Sequence, residues 1–312
     1  MDDNKKKAIF LGLAALFLII VVVKLVDVFF TGKGKLPMLA NNRIGIVNIF
    51  GPMVDSKKII DILHKYDDDK GIKAIIIRLD TPGGGVAVAQ EIVREIGKIR
   101  KNGKKVVSSM GSIAASGGYY VACATDRIFA DPGTLTGSIG VIMELPNIEE
   151  LLKKIGVKID VVKSGEHKDI GSPSRKLTPE EQRLLQEVID DVFDQFVEAI
   201  AEGRNDVLAE KIAAEKKIAK KDVKPEDIKA KIKSIADGRI FSGRQALVLG
   251  LIDELGNFHD VVDWTAKTSG ITGKPALVEE KRKIGLFDII FGEEAGTILR
   301  LINNKNIQLQ YR

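Results

Sequence analysis

Two hydrophobic periods alternate along the chain. From residue 43 to about residue 268, short apolar runs are followed by segments of helical period, a spacing that predicts βαβ units with right-handed crossovers. Residues 44–49 read as a first strand, broken at Gly51-Pro52. A helix over 56–66 follows, with Ile59, Ile60, Ile62 and Leu63 as its apolar positions. Residues 73–79 are apolar on both faces, as expected of a parallel strand covered by helices on each side. Next come a glycine loop at 80–85, a helix over 86–101, a third strand over 105–110, a helix over 113–124 and a fourth short strand over 126–130.

The second half keeps the alternation less strictly. A turn-rich loop over 131–141 leads to a helix over 148–155 and a strand over 157–163. Residues 164–175 form a polar loop without periodicity. Thr178-Pro179-Glu180-Glu181 has the cap, the proline and the acids of a helix start, and the apolar period runs on to about Glu202. Residues 205–233 are lysine-rich, helical in composition and broken near Pro225, which reads as a solvated helical face. A short helix over 242–250, a strand and turn over 251–256 and a helix over 258–268 follow. These elements predict an α/β peptide-chain domain over 43–275 with a parallel sheet, then a tail over 276–312.

The first 42 residues break the pattern. Residues 1–7 are polar and include Lys5, Lys6 and Lys7, whereas 8–30 are apolar except for Lys24 and Asp27. With Lys24 snorkelling, that run reaches the roughly 20 residues a bilayer needs. Bulky residues follow it where a cleaved signal would end in small ones. The expectation is therefore one transmembrane helix, the basic N-terminus in the cytoplasm, a linker over 31–42 and the folded domain outside the cell membrane.

Composition narrows the classes. Net charge is +5, aromatics are 5% and the lysines are interspersed with acids, so nothing resembles a nucleic-acid footprint. Cys123 is the single cysteine, which excludes an intramolecular disulfide and any CxxC metal motif. It lies among Val121, Ala122 and Ala124, as a small buried hydrophobe would.

The candidate chemistry centres on Gly111-Ser112-Ile113-Ala114-Ala115-Ser116-Gly117-Gly118-Tyr119-Tyr120, at a strand-to-helix junction. A serine there can expose its hydroxyl beside a free backbone N–H, as a nucleophile next to an oxyanion hole does. Equally, Ser112 or Ser116 can simply cap a helix. Two more glycine loops, Pro82-Gly83-Gly84 and Gly137-Ser138, follow strands, and in parallel α/β folds such loops meet at the strands' carboxyl ends. Gly83-Gly84 lacks both common phosphate-loop patterns and could supply an oxyanion N–H or be a plain turn. A serine nucleophile needs a base. Of the three histidines, His64 and His259 fall on predicted helices, leaving His167; the adjacent Lys168 would serve only if neutral.

Five stretches in this order, residues 81–85 (TPGGG), 111–120 (GSIAASGGYY), 131–141 (DPGTLTGSIGV), 163–175 (KSGEHKDIGSPSR) and 237–250 (DGRIFSGRQALVLG), resemble the signal peptide peptidase A family in its short, single-repeat form. The resemblance covers residues 44–268. It implies a Clp protease/crotonase-like fold and a membrane-anchored serine endopeptidase that acts on remnant signal peptides and other apolar peptides, without a cofactor. By motif it implies Ser116 as nucleophile and Lys168 as general base, with Ser138 orienting that lysine. The N–H of Gly83 or Gly84, with that of Gly117, would form the oxyanion hole. It also implies a homo-oligomeric ring in which serine and lysine come from neighbouring subunits. The longer lysine-rich connection at 205–233 departs from the family pattern. A crotonase-type acyl-CoA enzyme and a non-catalytic membrane scaffold are the competing readings.

Overall fold

The structure, a computed structural model, describes residues 42–280 and the backbone of residues 310–311. The expected anchor over 8–30 lies outside the described residues. Among the described residues, no helix is long and apolar enough to cross a membrane.

The centre is a parallel sheet built on β1 (Arg43–Phe50), β2 (Ile72–Thr81) and β4 (Lys105–Ala115). β2 pairs in parallel with β1 on one side and β4 on the other. Its Ile75, Ile76, Ile77 and Leu79 are all fully buried, so neither face is left to water. Alternation sends Ile75 and Ile77 to one face, against α1 (Lys57–Asp68), α2 (Val86–Lys101), α3 (Gly117–Cys123) and α5 (Pro179–Gly203). Ile76 goes to the other face, with Ile44, Ile46, Val107 and Phe129 beneath α9 (Phe258–Thr268). Burial on both sides of the strand explains its unbroken run of isoleucine. α2 shows the complementary pattern: Val86, Ala89, Ile92, Ile96 and Ile99 are buried at helical spacing.

β4 is long enough to serve two partners on its outer edge. Residues Val107 to Ser109 pair with β5 (Arg127–Ala130), and Ile113 to Ala115 pair with β6 (Leu135–Gly137). β6 in turn pairs antiparallel with β7 (Ile240–Ser242), and β5 pairs with β8 (Glu254–Leu255). At the opposite edge β9 (Ala276–Glu279) lies parallel to β1, carrying the sheet just past residue 275, where the tail was expected to begin. Three helices begin with reciprocal capping boxes. These are α5 at Thr178/Glu181, α8 (Gly243–Leu249) at Ser242/Gln245 and α9 at Asn257/Asp260.

Three sequence expectations are corrected. The helix predicted from residue 113 starts only at Gly117, because Ile113 to Ala115 find ladder partners in β6 and remain strand. Residues 157–163 form no strand: they are exposed throughout, and a strand without a neighbour has no ladder to join. The lysine-rich segment is more than a solvated face. It folds as α6 (Asn205–Lys216), a 3-10 turn and α7 (Pro225–Lys233), and Leu208, Ile212, Ile228 and Ile232 enter the main core. Its lysines face outward into ion pairs such as Lys216–Asp227 and Lys231–Glu215.

Candidate active site

The carboxyl ends of β2, β4 and β6 bring three glycine loops together. Ser116 sits between β4 and α3 with φ 53 and ψ −115, a conformation that L-residues rarely adopt. Its N–H donates to the Gly137 carbonyl at 2.8 Å, and its carbonyl accepts from the Tyr120 N–H at 2.8 Å. Both neighbours fix the backbone in this sharp turn, the geometry of a nucleophile elbow. Ser116 occupies the N-cap position of α3, yet its side chain makes no cap hydrogen bond. Ser116 is fully buried, and among the described residues its Oγ has no hydrogen-bond partner. A buried hydroxyl left unsatisfied costs about 1–3 kcal/mol. The capping role that the sequence left open is thus not realised. Ser112, the other serine considered, is an exposed residue within β4.

The Gly83–Gly84 loop is held just as tightly. Gly83 has φ 111 and Gly84 φ 156. A Cβ on Gly84 would stand 2.3 Å from the Met53 carbonyl oxygen, so no side chain fits. Met53 N–H donates to the Gly83 carbonyl at 2.8 Å, and Gly85 N–H donates to the Met53 carbonyl at 2.9 Å. The Gly83 N–H is engaged as well, donating to Thr81 Oγ1 at 3.1 Å. Alternation then turns the Gly84 N–H and carbonyl to the edge away from Met53. On that outer edge, β3 (Gly84–Gly85) pairs antiparallel with β10 (Gln310–Tyr311), with Tyr311 opposite Gly84. An extended chain therefore fits alongside the glycine strand.

Ser138 follows directly on the third loop, with φ 49, and its N–H donates to the Arg239 carbonyl at 2.9 Å. Gly137 has φ 80, and a Cβ there would meet the Phe241 ring at 2.6 Å. Ser116, Gly117, Gly137 and Ser138 thus share one strand-end junction with the Gly83–Gly84 loop.

Lys168 is not brought to that junction. It is exposed, and Ser116 Oγ receives no bond from it. The loop around it is nevertheless anchored by charge. Asp169 accepts from Lys163 Nζ at 2.6 Å and from Arg175 Nη2 at 2.9 Å, and Arg175 also binds Glu181 at the start of α5. The Arg175 guanidinium and the Thr178 N–H lower the Glu181 carboxyl to about 2. Arg175 and Lys163 hold Asp169 well below the usual carboxylate range. His167, next in sequence, has a buried Nδ1 with no partner among the described residues and no bond to Ser116.

Between β6 and this loop the surface is unusually apolar. Leu151 is 56% exposed, Ile155 62%, Ile159 54% and Val162 fully so, and α4 (Glu149–Lys154) contributes no buried residue. Clustered apolar exposure of this kind marks an interaction surface. Two other grooves lie away from it. One of about 410 Å³ is bordered by Ser56, Asp61 and Glu91, and one of about 590 Å³ by Asn205, Lys220 and Ile228; neither touches Ser116.

Behind the serine, Tyr119 donates its hydroxyl to the Leu251 carbonyl at 2.9 Å, and the buried Cys123 thiol is pushed up to about 12 by desolvation. Cys123 is therefore an inert small hydrophobe, as its neighbours in sequence indicated. Two residues that sequence reasoning quoted without a role emerge beside the loops. Asp80 Oδ1 accepts from the Ile113 N–H at 3.2 Å where β4 bulges past β2. Thr81 is fully buried between the Gly83 loop and α3. Their only signal was position, immediately before the Pro-Gly-Gly turn.

Fold and site together define an α/β domain whose strand-end loops surround two strained, buried serines, Ser116 and Ser138. The model of peptidase family S49 matches residues 98–224 and 224–272, more than half of the chain. The chain belongs to that family. It is 45% identical over 230 residues to the putative protease slr0021 of Synechocystis sp., covering 73% of this chain and 75% of that one. It is 37% identical over 210 residues to the putative signal peptide peptidase SppA of Enterococcus faecium, covering 67% and 55%. The chloroplastic serine protease SPPA of Arabidopsis thaliana is 31% identical over 246 residues, with 78% and 33% covered. The chain thus spans three quarters of the first relative but about half or less of the others. The two family matches meet at residue 224, within the lysine-rich segment noted as a departure.

Proposed function

We propose that the chain is a serine endopeptidase in which Ser116 is the nucleophile and Lys168 of a neighbouring copy is the general base. The observation that carries this reading is the contrast between a buried Ser116 Oγ with no partner and an exposed Lys168 on a segment rich in exposed apolar residues. A second copy packed on residues 148–162 would cover that apolar surface and bring in the lysine. Burial in such an interface would also favour the neutral amine that a base must be.

In the reaction, Ser116 Oγ attacks a peptide carbonyl while its proton passes to the neutral Lys168 amine. The tetrahedral oxyanion is held by the N–H groups of Gly84 and Gly117. Gly84 is the donor because the Gly83 N–H is already bonded to Thr81. Collapse breaks the C–N bond, and Lys168 returns its proton to the leaving amine. Water then attacks the acyl-enzyme, giving its proton to Lys168, which passes it to Ser116 Oγ as the ester C–O bond breaks and the acid product leaves. Ser138 orients the lysine. The substrate lies extended along the outer edge of β3, its backbone read by strand addition. Apolar peptides, remnant signal peptides among them, are the substrate class, and an anchor over 8–30 would hold the domain outside the membrane where such peptides collect.

The test is cleavage of a quenched-fluorescent apolar peptide. Ser116→Ala and Lys168→Ala should each abolish it. Co-assembling the two inactive variants should restore activity, because one copy supplies the serine and the other the lysine. Activity in Lys168→Ala would overturn the dyad; no recovery on co-assembly would place serine and lysine in one copy. Failure of Ser116 to react with a fluorophosphonate would leave the scaffold reading in its place.

A further inference from the structure

The loop that would supply the Gly84 N–H is held on one side by the Met53 backbone and contacted on another by the side chain of Thr81, which has no exposure to water. Thr81 Oγ1 accepts from the Gly83 N–H at 3.1 Å and lies 3.4 Å from the Gly83 carbonyl oxygen. The other arm of the same side chain faces the nucleophile's helix: a Cβ placed on Gly118 would come within 2.7 Å of Thr81 Cγ2. The backbone of Thr81 is fixed too, since it pairs with Ala114 in β4, two residues before Ser116. One side chain therefore touches both halves of the junction, the glycine loop through its hydroxyl and the serine helix through its methyl.

The direction of each N–H depends on that hydroxyl. Gly83 and Gly84 both have positive φ and carry no side chain to restrict them. Without that hydroxyl the buried Gly83 N–H would have to find another partner, and the Gly83 carbonyl, which shares its peptide plane with the Gly84 N–H, would lose its contact at 3.4 Å and keep only the Met53 N–H. We propose that Thr81 is a positioning residue: its hydroxyl pins the Gly83 N–H inside the loop so that the Gly84 N–H alone points at the developing oxyanion beside Ser116. This rests on the serine-peptidase reading and adds to it the group that sets the oxyanion donor.

An interaction realised in the transition state should appear in kcat and spare ground-state binding. Thr81→Val keeps the shape and the methyl contact but removes the acceptor. In the full chain it should lower kcat about tenfold to a hundredfold for a quenched-fluorescent apolar peptide, with KM within about threefold. Affinity for a peptide boronic acid should fall in parallel with kcat/KM. Affinity of the uncleaved peptide for the Ser116→Ala protein should not change when Thr81→Val is added. Thr81→Ser restores the acceptor without the methyl and should recover kcat to within about threefold of the parent.

Should Thr81→Val fail to fold, Thr81→Ser against Thr81→Ala isolates the hydroxyl in the same assays. The inference is overturned if Thr81→Val keeps full kcat, if Thr81→Ser is as impaired as Thr81→Val, or if peptide binding weakens as much as kcat/KM. Failure of the parent reading looks different: the unmodified chain would neither cleave the peptide nor acylate Ser116.

Discussion

The strand-end junction around Ser116 and the segment from Ile142 to Arg175 are built on opposite principles. At the junction the Ser116, Ser138 and Gly85 N–H groups are each bonded to a neighbouring loop, Gly84 and Gly137 stand where no Cβ fits, and the side chains behind it are buried. In the segment many apolar side chains face water, α4 buries nothing, and the Lys168 loop is tied to α5 by an ion network around Asp169 and Arg175. Among the described residues, the first region leaves the Ser116 hydroxyl without a partner, and the second has an exposed apolar surface and an exposed lysine that nothing covers. A shared active site reconciles the two, since each region then supplies what the other lacks.

The sharpest way to break this comparison is to make the apolar segment polar. Ile159→Asp together with Val162→Asp should lower peptide cleavage at least about a hundredfold, the loss expected when a general base no longer reaches its nucleophile. Because both side chains are exposed, the stability of the isolated chain should change by no more than about 0.5 kcal/mol. Sedimentation and denaturant unfolding at low chain concentration separate the two effects. Full activity in the double variant would mean that this surface does not bring Lys168 to Ser116.

The reverse disturbance belongs behind the junction. Arg204 is 4% exposed; its two terminal nitrogens each donate to Asp253 at 2.8 Å, and its Nε donates to the Gly250 carbonyl at 3.0 Å. Asp253 also accepts from the Ile128 N–H in β5 at 2.7 Å. Arg204→Ala strands a mostly buried carboxylate and should cost about 3–5 kcal/mol in denaturant unfolding. A loss below about 1 kcal/mol would show that water reaches Asp253 and that this side of the junction is less rigid than its packing indicates.

Legibility in the sequence follows the same divide. The central strands and α2 could be read directly, because burial on both faces forces unbroken apolar runs and burial on one face forces a helical period. The glycine loops were legible as motifs because their backbone angles demand glycine, and Ser116 was legible by its place between a strand and Gly117-Gly118. The start of α3 was not, because Ile113-Ala114-Ala115 suits either structure and only the neighbour β6 decides it. Residues 157–163 have strand propensity without a strand, and their apolar side chains stay exposed among the described residues. Arg204 and Thr81 were hidden for another reason: a charge or a hydroxyl acquires a buried role only when distant residues close around it.

The smallest effect concerns how the Lys168 loop is held. Thr178 accepts from the Glu181 N–H at 3.1 Å, and Glu181 accepts from both the Thr178 N–H and Arg175. Thr178→Ala removes half of that capping box and should cost about 1 kcal/mol in α5. Glu181, lowered to about 2, binds no proton in the folded state at neutral pH, and its unfolded carboxyl titrates near 4.3. Its stabilising contribution is therefore complete above about pH 5 and is lost as pH falls through 4 towards 2. Hydrogen exchange across residues 163–175 should accordingly be flat from pH 8 to 5, after correction for intrinsic rates, and lose protection below pH 4. The exchange of β2 should stay protected over the same range, since no carboxylate anchors that strand's core. Loss of loop protection already above pH 5 would instead mean that Glu181 does not anchor the loop, and the contrast between a packed junction and an ion-held loop would need a different charge at its centre.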